Sequence, residues 1–245
     1  MNHIELLKKN IKDANNIVVM TGAGISVPSG IPDFRSASGL YNEKYKTNIS
    51  PEEILSHHFF LSNPEAFYDF YRNKMIYIDA KPNIAHKTLA KLEDLGKLKM
   101  IITQNIDGLH SLAGNKNVIE LHGSIHRNYC MKCHKSYSLT EILDKDLVPT
   151  CSCGGIIKPD VVLYEEALPS KAIEDAVKAV EKADLLIVVG TSLLVSPANY
   201  LVHYFRGSNL VIINKSTTPY DRYASLLIRE PLETVLTNDL IEELR

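Results

Sequence analysis

The residues best suited to chemistry are four cysteines in the middle of the chain, arranged as two pairs. The first pair has CxxC spacing over residues 130–133, and the second has CxC spacing over residues 151–153. Two thiolates on one tight turn reach a single ion, and a second pair completes a tetrahedron. The spacing predicts a structural zinc site, with redox or catalytic cysteines as the alternative. The predicted ligands are Cys130, Cys133, Cys151 and Cys153.

Polar residues follow four apolar runs that read as strands. They are TQNIDG at residues 103–108, HG at 122–123, GTSL at 190–193, and Asn214. Because parallel strands end at the same edge of a sheet, we expect these groups to converge there. Amide, hydroxyl and carboxylate groups at such an edge suit a ligand with a ribose and a carboxamide. His122 is a candidate catalytic base, although position alone also allows a structural histidine.

A glycine turn follows another apolar run, at TGAGISVPSGIPDFRS over residues 21–36. Gly22 and Gly24 open it as a dinucleotide-binding turn opens. Val27 then occupies the place of a third small residue, and Pro28 and Pro32 follow where a helix is required. The segment therefore begins as a nucleotide-binding turn but lacks the helix that normally completes it.

The composition excludes several classes of protein. The chain has 245 residues, 45% hydrophobic and 23% charged, with a formal net charge of −2. These values fit a globular protein and give no reason to expect binding to nucleic acid or to an acidic membrane. The polar N-terminal segment lacks a signal peptide's apolar core, and no apolar run reaches membrane-spanning length. We therefore expect a cytoplasmic protein.

The elements that must position these residues alternate between strands and helices. Runs that are apolar throughout, which suit strands covered on both faces, occur at residues 17–20, 100–103, 118–121, 185–190 and 210–214. Helical periodicity lies between them, at residues 83–95 and 170–183. This alternation predicts an α/β fold with a doubly wound, mainly parallel sheet.

Two segments depart from the alternation and predict a smaller second lobe. An aromatic-rich helix is expected over residues 63–79, and residues 130–153 show little periodicity. We assign residues 1–40, 81–125 and 158–245 to a Rossmann-like domain. Residues 41–80 form the helical part of the small lobe, and residues 126–157 form its zinc-binding module.

Read in order, these motifs resemble those of the sirtuins, the NAD-dependent protein-lysine deacylases. The resemblance rests on GAGIS, GIPDFR, TQNID, HG, the paired cysteines and GTSL, and it extends over nearly the whole chain. It implies that NAD is a co-substrate, that zinc is structural, and that the loop over residues 23–35 is a mobile cover for the nicotinamide ribose. In that case Pro28 and Pro32 prevent a fixed helix and stiffen the loop. The implied products are free lysine, nicotinamide and O-acetyl-ADP-ribose.

The resemblance also assigns roles to individual residues. The resemblance implies that His122 is the general base. It implies that Asn105 is the second catalytic residue and contacts the ribose and an ordered water. The implied NAD-binding residues are Gly22, Ala23, Gly24, Ser26, Val27, Phe34, Arg35, Gln104, Asn105, Ile106, Asp107, Thr191, Ser192, Asn214 and Leu232. The implied partners are acetylated lysines of proteins, and we expect the protein to be a monomer.

Two departures from the family pattern concern the substrate, whose implied contacts are Tyr68, Tyr71, Val162, Tyr164 and Glu165. Glu165 stands where the family has a glycine, so its side chain either points away or favours peptides with basic flanks. Tyr71 occupies the position of an arginine that pairs with succinyl groups, and Arg72 is one residue further along. We therefore expect acetyl groups to be preferred over succinyl groups.

Other functions stay open at this level. The same pocket could support ADP-ribosyl transfer or NAD hydrolysis, although branches specialised for those reactions tend to lose the base histidine. A non-enzymatic NAD-sensing module held together by zinc is the third alternative.

Overall fold

The computed structural model describes residues 2–34, 36, 39–40 and 49–242. Nine strands lie within these ranges: β1 Ile17–Thr21, β2 Leu98–Thr103, β3 Val118–Glu120, β4 Gly123–Cys130, β5 Ser136–Ser138, β6 Ile157–Val161, β7 Leu185–Val189, β8 Asn209–Ile213 and β9 Leu226–Ile228. The α-helices there are α1 His3–Asp13, α2 Pro51–Ile54, α3 His57–Ser62, α4 Pro64–Lys74, α5 Ile84–Asp94, α6 Leu109–Ala113, α7 Leu139–Leu143, α8 Ser170–Lys182 and α9 Leu232–Val235. Four short 3-10 helices accompany them: Ala23–Ser29, Ala198–Tyr204, Asp221–Tyr223 and Asn238–Leu240.

Six strands form one parallel sheet in the order β3-β2-β1-β7-β8-β9. Successive residues of a strand point to opposite faces, so each central strand serves two layers of packing. Ile17 and Val19 of β1 pack with α1, α5 and α9 on one face. Val18 and Met20 pack with α8 and the Ala198–Tyr204 helix on the other. The predicted doubly wound α/β fold is confirmed.

A second sheet has three antiparallel strands in the order β5-β4-β6. It packs with α2, α3, α4 and α7 around a separate apolar cluster. The predicted domain boundaries at 125/126 and 157/158 cut through β4 and β6, whose pairing keeps each strand whole within this sheet. The division into domains stays a prediction.

Aromatic side chains fill the centre of the second cluster. Phe67 lies 4.9 Å from Phe60 and 5.6 Å from Tyr71, measured between ring centroids. The helix that carries them, α4, is shorter than the predicted span of residues 63–79. After Lys74 the backbone leaves the helix at Met75, whose N–H still bonds to the carbonyl of Tyr71.

The glycine turn is more regular than expected. Residues Ala23–Ser29 form a 3-10 helix with Pro28 inside it, where a loop without a fixed helix was expected. Pro28 has no N–H to donate, and the carbonyl of Ile25 instead accepts a bond from the Asn83 side chain at 2.8 Å. The helix ends at Gly30, which has a φ of 86°.

Candidate active site

A cleft of about 550 Å³ lies at the carboxyl ends of the parallel strands and extends to the segment after β6. This volume is within the usual range for small-molecule sites. The predicted residues that line it are Gly22, Ala23, Gly24, Ser26, Phe34, Tyr71, Gln104, Asn105, Ile106, Asp107, His122, Val162, Tyr164, Glu165, Thr191, Ser192 and Asn214. The four strand ends singled out in the sequence therefore meet in one cavity.

Three predicted residues do not line this cleft. Val27 points outward and is 44% exposed, and Tyr68 is buried in the aromatic cluster. Leu232 begins α9 and packs in the core beneath the sheet. Arg35 lies outside the described residues, so its role stays a prediction. Residues of the lining that the sequence analysis did not single out include Lys74, Leu194 and Ser216.

Two loops touch at the base of the cleft, after β1 and after β7. The N–H of Gly24 donates to the carbonyl of Gly190 at 2.8 Å. A Cβ on Gly24 would lie 2.7 Å from the Cα of Gly190, so no side chain fits. This close backbone approach leaves room for a ligand against the strand ends, as the glycine turn predicts.

The TQNID segment is held by hydrogen bonds from both sides of the cleft. The side chain of Ser26 donates to Asp107 at 2.7 Å and accepts from the Asn105 amide at 3.1 Å. Gln104 donates to the hydroxyl of Thr191 at 3.1 Å. These bonds fix amide and carboxylate groups before any ligand arrives. Such groups offer the hydrogen-bond donors and acceptors that ribose hydroxyls and a carboxamide require. The described residues therefore fit NAD.

His122 lies between β3 and β4, directly before Gly123, and faces the same cleft. Its Nδ1 is 2.8 Å from the backbone carbonyl of Gln104. Since a carbonyl can only accept, Nδ1 carries the proton and Nε2 keeps its lone pair. Burial lowers the pKa of His122, and the bond to the Gln104 carbonyl opposes that shift. The ring is thus neutral at cellular pH and oriented as a base.

His126 supports the same segment, although no sequence pattern singled it out for this role. Its Nε2 is 3.1 Å from the carbonyl of Asp107, so this nitrogen donates. The relevant signal is its place on β4, opposite the loop after β2, which becomes visible only once the two sheets are assembled.

The segment after β6 borders the cleft on the side of the small lobe. The N–H of Tyr164 donates to the carbonyl of Leu55, and its carbonyl accepts from His57, both at 3.0 Å. The neighbouring Glu165 has a φ of 76°, in the left-handed region that favours glycine. Its carboxylate accepts from the N–H of His58 at 3.0 Å and is 2.8 Å from that residue's ring. The charge is therefore directed to the start of α3.

A buried ion pair supports this segment from behind. Nζ of Lys158, 3% exposed, is 3.1 Å from the carboxylate of Glu166. That carboxylate also accepts from the N–H of Leu163 at 2.8 Å and lies 2.7 Å from the His57 ring. Neither His57 nor Lys158 was singled out in the sequence, because the pairing depends on contacts between distant segments.

The guanidinium of Arg72 faces away from the cleft. It donates to the carbonyls of Ile142 at 2.9 Å and Asp146 at 2.7 Å, at the carboxyl end of α7. Arg72 is also not among the residues that line the cleft. A cation at this position is therefore used to terminate a helix of the zinc-binding module.

The four cysteines converge as predicted, with their sulfur atoms all within 4.8 Å of one another. Cys130 and Cys153 are 3.4 Å apart, and Cys133 and Cys151 are 3.6 Å apart, measured between sulfurs. A disulfide requires about 2.05 Å, whereas a zinc–thiolate tetrahedron with bonds of about 2.3 Å has edges near 3.8 Å. The cluster fits a structural zinc ion.

Comparison with known proteins agrees with this geometry. An NAD-dependent protein deacetylase of Clostridium tetani is 58% identical over 240 residues, covering 97% of each chain. One from Staphylococcus aureus is 46% identical over 241 residues, covering 98% of this chain and 99% of that protein.

Solved structures show the same similarity. A Sir2 complex with a deacetylated p53 peptide and 3′-O-acetyl-ADP-ribose has a TM-score of 0.89 at 39% identity, covering 99% of this chain and 98% of that one. A Sir2–p53 peptide–NAD+ complex has a TM-score of 0.87 at the same identity and the same coverage. The Sir2 family model matches residues 22–197. The chain therefore belongs to the Sir2 family.

Proposed function

We propose that this protein is an NAD-dependent protein-lysine deacetylase that yields free lysine, nicotinamide and O-acetyl-ADP-ribose. The main observation in support is that His122, whose Nδ1 is bonded to the Gln104 carbonyl, lies in one cleft with Asn105 and Asp107. Its relatives of 46–58% identity bear the name of this activity, and related Sir2 structures contain NAD and an acetylated peptide.

The residues of the cleft divide the work between binding and chemistry. Asp107 and the Ile106 backbone hold the nicotinamide carboxamide, while Gln104 and Asn105 address the ribose and a water. NAD supplies an anomeric carbon whose leaving group is already cationic. The protein mainly positions the acetyl-lysine amide against that carbon, since such placement alone lowers a barrier substantially. Over the whole reaction one water is consumed and the acetyl group passes to a ribose hydroxyl.

His122 removes the proton from that hydroxyl through Nε2. Replacing it in His122→Ala should lower kcat by a factor of about 10² to 10⁴, the usual contribution of a general base. His3→Ala is a matched control, because His3 is an exposed histidine outside the cleft whose ring lies 3.6 Å from the Glu230 carboxylate. Mass spectrometry of the reaction with NAD and an acetyl-peptide measures acetyl-ADP-ribose directly.

Two outcomes of this experiment would redirect the assignment. Undiminished deacetylation by the His122→Ala variant would remove the histidine from the mechanism. Nicotinamide release without acetyl-ADP-ribose from the wild-type protein would favour NAD hydrolysis or ADP-ribosyl transfer.

The pH profile of the reaction provides a second test of His122. Because burial lowers the pKa of His122, the acid limb of kcat/KM should lie below pH 6.5, the ordinary pKa of histidine.

We further propose that acetyl groups are preferred over succinyl groups. The main observation in support is that the Arg72 guanidinium is bonded to the end of α7 and does not line the cleft. A succinyl carboxylate buried without that partner is unfavourable by several kcal/mol. Steady-state kinetics on matched acetyl- and succinyl-peptides test this, and faster turnover of the succinyl-peptide would refute it.

The role of Glu165 is tested by the charge of the peptide. Because its carboxylate is bonded to His58, we propose that it stabilises the start of α3 rather than selecting basic peptides. Peptides with Lys or Glu beside the acetyl-lysine should then give kcat/KM values within about threefold, since a screened surface pair contributes little. A larger preference for Lys that disappears in Glu165→Gln would show that the carboxylate does select.

We also propose a cytoplasmic monomer that binds neither nucleic acid nor membranes. The net charge of −2 supports the absence of a nucleic-acid partner. Across the described ranges, no helix combines the length and apolar character needed to cross a bilayer. Light scattering at micromolar concentration tests the monomer, for which a mass near 27.4 kDa is expected.

A further inference from the structure

A chain of hydrogen bonds runs behind the cleft, from α6 to the backbone of Asn105. Nε2 of His110 is 3.0 Å from the hydroxyl of Thr21, the last residue of β1. That hydroxyl is 2.9 Å from the hydroxyl of Thr103, the last residue of β2. The Thr103 oxygen in turn accepts from the N–H of Asn105 at 3.0 Å.

All four members are buried, with exposures of 7% or less. A buried polar group gains most from a hydrogen bond and loses most without one. His110 Nδ1 has no partner in the described part of the chain. If Nδ1 carried the proton, a buried N–H would be unpaired, which is rare. The proton therefore sits on Nε2, and the chain has one direction, from His110 through Thr21 to Thr103.

His110 is held in this orientation by packing. Its ring lies 4.8 Å from the ring of His86, measured between centroids. Burial lowers the pKa of His110 to about 3, so the ring is neutral across the range in which enzymes are assayed. The chain therefore contains a neutral donor whose place is set by α5 and α6, on the opposite side of the strand ends from the ligand.

We propose that His110 is a positioning residue for the reaction: through Thr21 and Thr103 it fixes the backbone of Asn105, and hence the amide side chain that faces bound NAD. The inference rests on the proposed function for the identity of that ligand. Neither His110 nor Thr21 lines the cleft in the part of the chain that the structure describes. Any effect of changing them on NAD must therefore pass through other residues.

The test compares two chemically identical substitutions at buried threonines. Thr21→Val removes a hydroxyl that links the chain, whereas Thr88→Val removes a buried hydroxyl on α5 that has no partner among the described residues. We expect Thr21→Val to weaken NAD binding, measured by calorimetry, about threefold and to lower kcat/KM for NAD about tenfold. Thr88→Val should match the wild type, and the KM for acetyl-peptide should be unchanged in both.

His110 itself is tested in a double-mutant cycle with Thr21. His110→Phe should match Thr21→Val, and the double variant should lose no more than either single variant. His110→Gln, which can still donate, should recover most of the NAD affinity.

Three results would overturn the proposal: equal NAD affinity for Thr21→Val and Thr88→Val, losses that multiply in the double variant, or no recovery by His110→Gln. If His110→Phe does not fold, the comparison of the two threonine variants decides alone. NAD affinity is measured without turnover, so a wild-type protein that binds NAD but forms no acetyl-ADP-ribose would refute the proposed function and leave this chain of contacts open to the same test.

Discussion

The six-stranded sheet and the three-stranded sheet obtain their stability in different ways. Every residue of β1 and β7 is buried, because helices cover both faces of the parallel sheet. In the small sheet, β5 has only three residues, and its central one alone is buried. Short strands with one covered face bury too little apolar surface to be stable alone. The aromatic cluster and the cysteine site therefore carry much of the small lobe's stability.

Removing the metal should separate the two regions most clearly. Cys151→Ser breaks the thiolate set, and zinc sites in small modules contribute on the order of 10 kcal/mol. We expect loss of bound zinc, rapid proteolysis within residues 130–157 and loss of deacetylation, while circular dichroism retains most of the helical signal. Ser152→Ala, between two ligands, should keep zinc and activity. Intact, active protein after Cys151→Ser would show that the small lobe does not need the metal.

The converse change weakens the large sheet. Ile187 in the centre of β7 is 1% exposed, and Ile187→Ala should destabilise the protein by about 2–5 kcal/mol. Ile187→Val should cost about 0.5–1.5 kcal/mol. Urea unfolding measures both, and zinc content at low urea should stay unchanged. Zinc release below the main transition would contradict the view that this core is independent of the cysteine site.

Acid should act on the large region through two buried histidines. Burial lowers the pKa of His86 to about 4 and that of His110 to about 3. The unfolded chain therefore binds protons below pH 6.5 that the folded protein does not, so stability falls as pH drops from 6.5 towards 4. Near pH 4.5 the expected loss is roughly 2–3 kcal/mol for each histidine.

His86→Phe removes one of these two contributions. The difference in free energy of unfolding between this variant and wild type should therefore shift by about 2 kcal/mol in favour of the variant when the pH is lowered from 7 to 4.5. Urea unfolding at both pH values provides the measurement. Parallel losses in the two proteins would show that His86 does not titrate in this way.

A last comparison concerns two tyrosines within the aromatic cluster. The hydroxyl of Tyr68 donates to the carbonyl of Ile157 in β6, whereas the hydroxyl of Tyr71 has no partner among the described residues. Tyr68→Phe leaves a buried carbonyl unpaired and should cost about 1–3 kcal/mol. Tyr71→Phe should cost less than that or stabilise the protein. Equal unfolding free energies for the two variants would show that the Tyr68 hydrogen bond does not stabilise the protein.

The same contrast explains what the sequence could predict. Long apolar runs such as β7 were identified because burial on both faces leaves an unbroken pattern. The three-residue strand β9 was missed because so short a run has no recognisable period. Helix α7 was also missed, although Ser138 and Glu141 form a capping box at its start. The sequence carries this signal as Ser138 followed three residues later by Glu141.

The residues of the site also divide into those that the sequence could predict and those that it could not. Residues at strand ends, such as Asn105 and His122, could be predicted because the parallel topology brings those ends together. The contacts of His126, Lys158 and His110 could not, because each joins segments whose proximity depends on how α6 and the two sheets pack. No local pattern records such a pair.

His122 and Gly123 lie where the chain passes from one sheet to the other. Gly123 has a φ of 76°, and a Cβ there would lie 1.9 Å from the carbonyl oxygen of Asp160. The carbonyl of His122 accepts from the N–H of Val162 at 3.0 Å. His122 is thus anchored to the segment after β6, which borders the cleft on the side of the small lobe. It is held to the large sheet through the Gln104 carbonyl after β2 and to the small sheet through the N–H after β6, so a movement of one sheet against the other would break one of these two bonds.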